Sequence, residues 1–157
     1  MKILLFGKTG QVAKELCNRP NVTAIGRDKA DFTEPQKIIE IVKSTDADII
    51  INAVAYTSVD LAEEEFELAN IINGTTVKEL AKVSASRNIP FLHISTDYVF
   101  KGDGNLNWKT SDQTNPQNSY GKSKLIGESG ILEAGGPHVI LRTSWVFSSH
   151  GNNFVKT

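Results

Sequence analysis

Short apolar runs rich in β-branched residues alternate along the chain with longer stretches in which apolar positions recur every three or four residues. The runs predict strands at Lys2 to Phe6, Val22 to Ile25, Asp48 to Asn52, Phe91 to Ser95 and His138 to Arg142. Ile49-Ile50-Ile51 is apolar at consecutive positions, so both faces of that strand need cover, as in the middle of a parallel sheet. The alternation predicts an α/β fold: a Rossmann-like, doubly wound parallel sheet with helices on both faces.

Between the strands the pattern is helical. Thr33-Glu34-Pro35-Gln36 reads as a capping box, with Ile38, Ile39 and Val42 forming the buried stripe behind it. A longer helix is predicted from about Phe66 to Ser86, turning Leu68, Ile71, Ile72, Val77, Leu80 and Val83 inward, with Asn73-Gly74 as the place for a kink. The acidic run Glu63 to Glu65 is expected on a solvated face near that helix start. From Lys101 to Ser119 the chain is polar and aperiodic, which predicts a long loop of the kind that often serves a site.

Composition narrows the partners. The 157 residues carry 17 basic and 18 acidic side chains, a net charge of -1, spread along the chain. That gives no electrostatic footing for nucleic acid or an anionic membrane surface, and no stretch approaches the 18 apolar residues of a membrane span. A small-molecule substrate and a cytoplasmic location are expected. The lone Cys17 permits no internal disulfide and reads as a small buried side chain.

The chemistry begins at the first strand. Ile3 to Phe6, Gly7-Lys8-Thr9-Gly10 and the helical Gln11 to Leu16 give strand, glycine turn and helix in the order that holds a dinucleotide pyrophosphate: glycines permit a tight turn and close approach, and unpaired amides face the phosphates. Ala13 stands where a third glycine is usual and is small enough for close packing. Gly127 and Gly130 repeat the spacing but follow no strand, and read as helix surface or a frayed end. A nucleotide triphosphatase loop would need glycine five residues before Gly7, where Lys2 stands. At the end of the second strand, Arg27 suits the 2′-phosphate of NADPH, whereas Asp28 would suit the free ribose of NADH.

Tyr120 and Lys124 are four apart, so a helix presents both on one face, and Thr96 lies 24 residues before Tyr120 at the end of the fourth strand. A free tyrosine, with a pKa of about 10, is a poor acid-base group near neutrality, and a nearby ammonium would lower that value. Thr96 can donate to a substrate carbonyl. Together with the glycine turn, these residues predict a reductase in which Thr96, Tyr120 and Lys124 are catalytic.

Five strings carry a family resemblance: Gly7 to Gln11, Asn52 to Asp60, Ser95-Thr-Asp-Tyr-Val-Phe100, Tyr120-Gly-Lys-Ser-Lys124 and Arg142-Thr-Ser-Trp-Val-Phe147. From Lys2 to Thr157 the chain resembles the extended short-chain dehydrogenase/reductases, in particular those that reduce a 4-keto sugar nucleotide in deoxysugar synthesis for cell-envelope polysaccharide. The resemblance implies NADPH, with NADH as the alternative, held by Gly7, Gly10, Gln11, Val12, Arg27, Asp31, Phe32, Ala55, Tyr56, Thr57, Tyr120 and Lys124. It implies a sugar site at Thr96, Asp97, Tyr98 and Trp145. Asp31 also suits the turn before Thr33, Tyr56 the core, and Trp145 the space beyond the fifth strand. A magnesium ion between subunits of a homodimer, with Glu15 as one ligand, is a further implication, beside which Glu15 reads as a surface residue. Residues 1–150 are expected to form the NAD(P)-binding domain and 151–157 the start of a substrate-binding region that the chain largely lacks. Related sugar-nucleotide reductases or epimerases, and a non-catalytic NADP-binding regulatory subunit, are the alternatives.

Overall fold

A computed structural model describes residues 1–103 and 107–157; residues 104–106, part of the predicted loop, lie outside the described residues. Along β1 (Ile3–Phe6) alternate side chains leave opposite faces, Leu4 and Phe6 to one core and Ile3 and Leu5 to the other. Four further strands follow, β2 (Val22–Ile25), β3 (Ile49–Asn52), β4 (Phe91–Thr96) and β5 (His138–Thr143), all paired in parallel in the order β2-β1-β3-β4-β5. The predicted strands are therefore present, each end within a residue.

The two faces differ in depth. Leu4, Phe6, Ile50 and Phe91 pack beneath α2 (Pro35–Ser44), α4 (Thr76–Ser86) and α5 (Ser119–Ala134), whose Ile38, Val42, Val77, Leu80 and Ile131 close the main core. Each such aliphatic side chain contributes roughly 1.5–3 kcal/mol by leaving water. On the opposite face Leu5 and Ile51 are covered, among the described residues, by the short α1 (Gln11–Cys17), through Ala13, Leu16 and Cys17. At β5 that face is open: Ile140 joins the main core, while Val139 and Leu141 are 50% and 44% exposed. No helix among the described residues is long and apolar enough to cross a membrane.

Three local expectations are corrected. The capping box at Thr33 does not form, because the nearer Asp31 carboxylate takes both its amide at 2.9 Å and its hydroxyl at 2.8 Å; Glu34 caps α2 without a side-chain bond. The long helix is three pieces: α3 (Phe66–Asn70), a π turn (Ile71–Thr75) at the predicted Asn73-Gly74 kink, and α4. The wider turn shifts the phase between its two ends, so Ala69 rather than Leu68 points inward. The acidic run is not merely solvated. Glu63 accepts the Ser119 amide and hydroxyl, each at 2.7 Å, and Glu65 accepts the Tyr56 hydroxyl at 2.8 Å.

Gly127 and Gly130 are likewise not helix surface. A Cβ on Gly127 would lie 2.2 Å from the Asn73 carbonyl oxygen, and one on Gly130 2.5 Å from Lys78 Cβ. Both let α5 seat directly on the π turn and α4. This close seating, with Asn118 capping α5 through the Gly121 amide at 2.7 Å, sets where Tyr120 and Lys124 emerge over the sheet.

Candidate functional site

From β1 the chain moves outward to β2, then returns past β1 to form β3 on its other side. Successive crossovers thus diverge between β1 and β3, and their carboxyl ends leave a crevice, the usual ligand site of open α/β sheets. Gly7 ends β1 with φ +107°, and a Cβ there would stand 3.3 Å from the Ala53 carbonyl. Gly10 precedes α1 without any side-chain cap and has open space around it. Two cavities meet at this turn, sharing Gly10, Ala53, Val54 and Ala55.

The smaller, about 240 Å³, extends from Gly7 toward Arg27, Asp31 and Phe32. Arg27 Nε pairs with Asp31 Oδ2 at 3.0 Å. The Thr33 amide and hydroxyl, and then Arg27, pull the Asp31 carboxyl down to about 2, so it is ionised throughout the physiological range. Phe32 is buried edge-on against Phe6, and its carbonyl accepts the Thr76 hydroxyl at 2.7 Å, which ties this wall to α4. Asp28 does not line the cavity.

The larger cavity, about 450 Å³, runs from Gly10, Gln11 and Val12 past Thr57 to Thr96, Asp97, Tyr98, Tyr120, Lys124 and Trp145. Residues far apart in sequence but assigned to one site are thus brought to one edge of the sheet. Tyr56 is the exception: its hydroxyl is turned to Glu65, its amide donates to Asn73 Oδ1 at 2.9 Å, and it lines neither cavity. Gln11 has a second engagement, its Oε1 accepting from Ser148 and Asn153 at 3.0 Å.

Tyr120 is buried beside Ala62, Ala69 and Val59, with the Tyr98 ring edge-on at 5.8 Å. Burial raises its pKa above the ordinary phenol value, while the Thr96 hydroxyl beside it acts the other way. Lys124 does not produce the expected lowering, because the nitrogen end of that side chain is directed elsewhere. Lys124 is 1% exposed; its Nζ donates to the Ile94 carbonyl at 2.7 Å and lies 3.1 Å from His93 Nε2. Desolvation brings its pKa to about 7, against a smaller opposing pull from Glu128. Thr96 caps the turn Asp97–Val99 by accepting the Tyr98 amide at 3.2 Å, and its hydroxyl lies 3.3 Å from Asp97 Oδ1. Trp145 stands at the mouth, 73% exposed, with φ +50° and its ring edge-on to Phe154.

Sequence reasoning overlooked three members of this neighbourhood. Asn73 in the π turn bonds both Tyr56 backbone groups and Ser123, one residue before Lys124. Glu128, one turn beyond Lys124, is buried and accepts from Ser95 and Arg142. His93 is fully buried in β4. For His93 the available signal was a polar residue at an inward position of an apolar strand, which obliges a partner.

The chain matches the RmlD substrate binding domain family over residues 1–157. It belongs to that family. It is 44% identical to dTDP-4-dehydrorhamnose reductase of Salmonella typhimurium and 46% identical to that of Escherichia coli K12, in each case across all of this chain and 55% of the relative. The chain thus spans about half the length of these relatives. Its fold is similar to a crystal structure of dTDP-4-dehydrorhamnose reductase from Bacillus anthracis in complex with NADP, with a TM-score of 0.94 at 35% identity over 99% of this chain and 58% of that one. Within the family, Glu15 acquires no metal-binding companions here: it pairs with His150 at 3.3 Å, and the described residues contain no cluster of three or more groups suited to a metal ion.

Proposed function

We propose that residues 1–150 form the NADPH-binding unit of a reductase that converts dTDP-4-dehydro-6-deoxy-L-mannose to dTDP-L-rhamnose, a cytoplasmic step in making deoxysugars for cell-envelope polysaccharide. The observation that carries this reading is the convergence of Thr96, Tyr120 and Lys124 on the cavity that begins at Gly10. Relatives with 44–46% identity that bear this activity, and an NADP complex of a similar structure, support it.

The residues fit a dinucleotide. Gly7 and Gly10 leave room for backbone to approach a pyrophosphate, Gln11 and Val12 would flank it, and Arg27, Asp31 and Phe32 would border the adenosine end, with Arg27 meeting a 2′-phosphate. Ala55 and Thr57 would line the path to the nicotinamide, and Lys124 would donate to its ribose. When bound, the reduced nicotinamide supplies a hydride to the sugar C4 carbonyl. Thr96 polarises the carbonyl oxygen by donating its hydroxyl. Tyr120 then gives its proton to the new alkoxide; burial keeps that proton in place at neutral pH, as a general acid needs. Asp97, Tyr98 and Trp145 would border the sugar.

The test is NADPH oxidation by the full-length form and by the 157-residue chain in the presence of the dTDP-linked 4-ketosugar. Turnover by the full-length form, reduced about 10²- to 10⁴-fold by Tyr120→Phe with dinucleotide affinity retained, is expected. Absence of turnover by the full-length form refutes the reductase reading, and undiminished turnover by the variant refutes the proton donor.

A further inference from the structure

Beneath the larger cavity, a chain of buried polar groups fixes the protonation of Lys124 by simple donor-acceptor parity. The Val54 amide donates to Asn52 Oδ1 at 2.9 Å. An amide N–H can only donate, so the Asn52 side chain has one permitted orientation, with Nδ2 toward His93 Nδ1 at 3.1 Å. Nδ2 also donates, so His93 Nδ1 must accept and carries no proton. A neutral imidazole then has its proton on Nε2, which lies 3.1 Å from Lys124 Nζ. An ammonium has three donors and no lone pair; against Nε2–H it would set donor against donor at a side chain only 1% exposed. A neutral amine fits every contact: its lone pair accepts from His93, and one N–H donates to the Ile94 carbonyl at 2.7 Å.

We propose that His93, oriented by Asn52, is a positioning residue that holds Lys124 as a neutral amine against β4, and that dinucleotide binding converts it to the ammonium by taking a proton from solvent. The cofactor part rests on the dinucleotide reading above; the resting state of the lysine does not. A ribose in the cavity would offer hydroxyl oxygens that accept from an ammonium, and the nearby phosphates would favour its charge. The site thus exchanges a buried uncharged lysine for a cation at the moment the cation has partners.

The surrounding groups agree with the parity argument. Burial depresses the His93 pKa well below its ordinary value, which disfavours the imidazolium, and burial brings Lys124 down to about 7. Facing Lys124 from α5 are Tyr120 and the Glu128 carboxylate; the latter favours the ammonium, but it is already engaged by Arg142 from β5 and by Ser95 from β4. Asp97 lies in the same cavity wall, with Thr96 beside it. From the π turn comes only the neutral Asn73, bonded to Ser123.

Two measurements test this, neither needing turnover. In the unliganded 157-residue chain, nitrogen NMR of ring-labelled histidine should show His93 with a protonated Nε2 and bare Nδ1; the opposite tautomer or an imidazolium overturns the proposal. Calorimetric titration with NADPH at pH 8, in buffers of different ionisation enthalpy, should show uptake of most of one proton per dinucleotide bound. That pH lies above the 2′-phosphate's own titration at about 6. In His93→Leu the Lys124 titration should move up by roughly half a pH unit to one, the worth of one neutral hydrogen bond, and the uptake at pH 8 should fall. If NADPH does not bind, the dinucleotide reading fails while the tautomer result still judges the lysine; if it binds without proton uptake, the switch is wrong and the dinucleotide reading stands.

Discussion

Arg142 grips the buried carboxylate of Glu128 with two nitrogens, Nη2 to Oε2 at 2.7 Å and Nε to Oε1 at 3.1 Å. Glu128 also accepts the Ser95 hydroxyl at 2.5 Å, so one side chain joins α5, β4 and β5. Removing one partner from such a pair leaves a desolvated charge alone. Arg142→Met should lower stability to chemical denaturation by about 3 kcal/mol, whereas Lys101→Met, at an exposed pair with Asp103, should leave the denaturation midpoint essentially unchanged.

The glycines divide into those the fold needs and those the ligand would need. Gly127→Ala forces a methyl into the Asn73 carbonyl, which is backbone and cannot step aside, and should cost about 2 kcal/mol or more in unfolding free energy. Gly10→Ala meets open space, so its denaturation midpoint should match the parent chain. Dinucleotide affinity should nonetheless drop tenfold or more, since the methyl projects where phosphates would approach.

Asp31 gives a pH signature. Its carboxyl is depressed to about 2 from an ordinary 3.8, so its interactions stabilise the fold fully above the unfolded value and are lost as pH falls toward 2. After allowance for solvent screening, the contribution is on the order of 1 kcal/mol. Asp31→Ala should therefore be less stable than the parent chain at pH 6, and thermal unfolding curves of the two should converge between pH 4 and pH 2.

Arg27 lies at the exposed end of the smaller cavity, where it pairs with Asp31. Arg27→Ala should weaken NADPH binding about tenfold while changing NADH binding little, measured by fluorescence titration of both. Equal loss for the two nucleotides would show that Arg27 does not contact the 2′-phosphate.

The sheet was legible because its signal is local: Ile49-Ile50-Ile51 announces a strand covered on both faces wherever it lies. What escaped depended on partners distant in the chain. Thr33 has the residues for a cap, yet an Asp31 carboxylate two positions earlier outcompetes that geometry. Glu63 is acidic and near a helix start, but its role is to hold Ser119, 56 residues on. Gly127 and Gly130 declare absence of a side chain, and only the crossing of α4 by α5 shows what that absence admits. In the candidate site, order and spacing singled out Thr96, Tyr120 and Lys124, which the structure brings to one cavity. The polar contacts behind Lys124 were not legible, since they come from Asn52 and His93 on two other strands.

The π turn at Ile71–Thr75 has an implication for how this sequence can change. Relative to a regular helix it holds one residue too many, and that surplus places Asn73 against Tyr56 on one side and Ser123 on the other. Deleting a single residue there would produce a better-formed helix and a worse protein. Everything upstream would rotate by about 100°, carrying Ala69 out from beside Tyr120 and stripping the Tyr56 backbone of both its partners. The number of residues in this segment is therefore constrained as tightly as their identity.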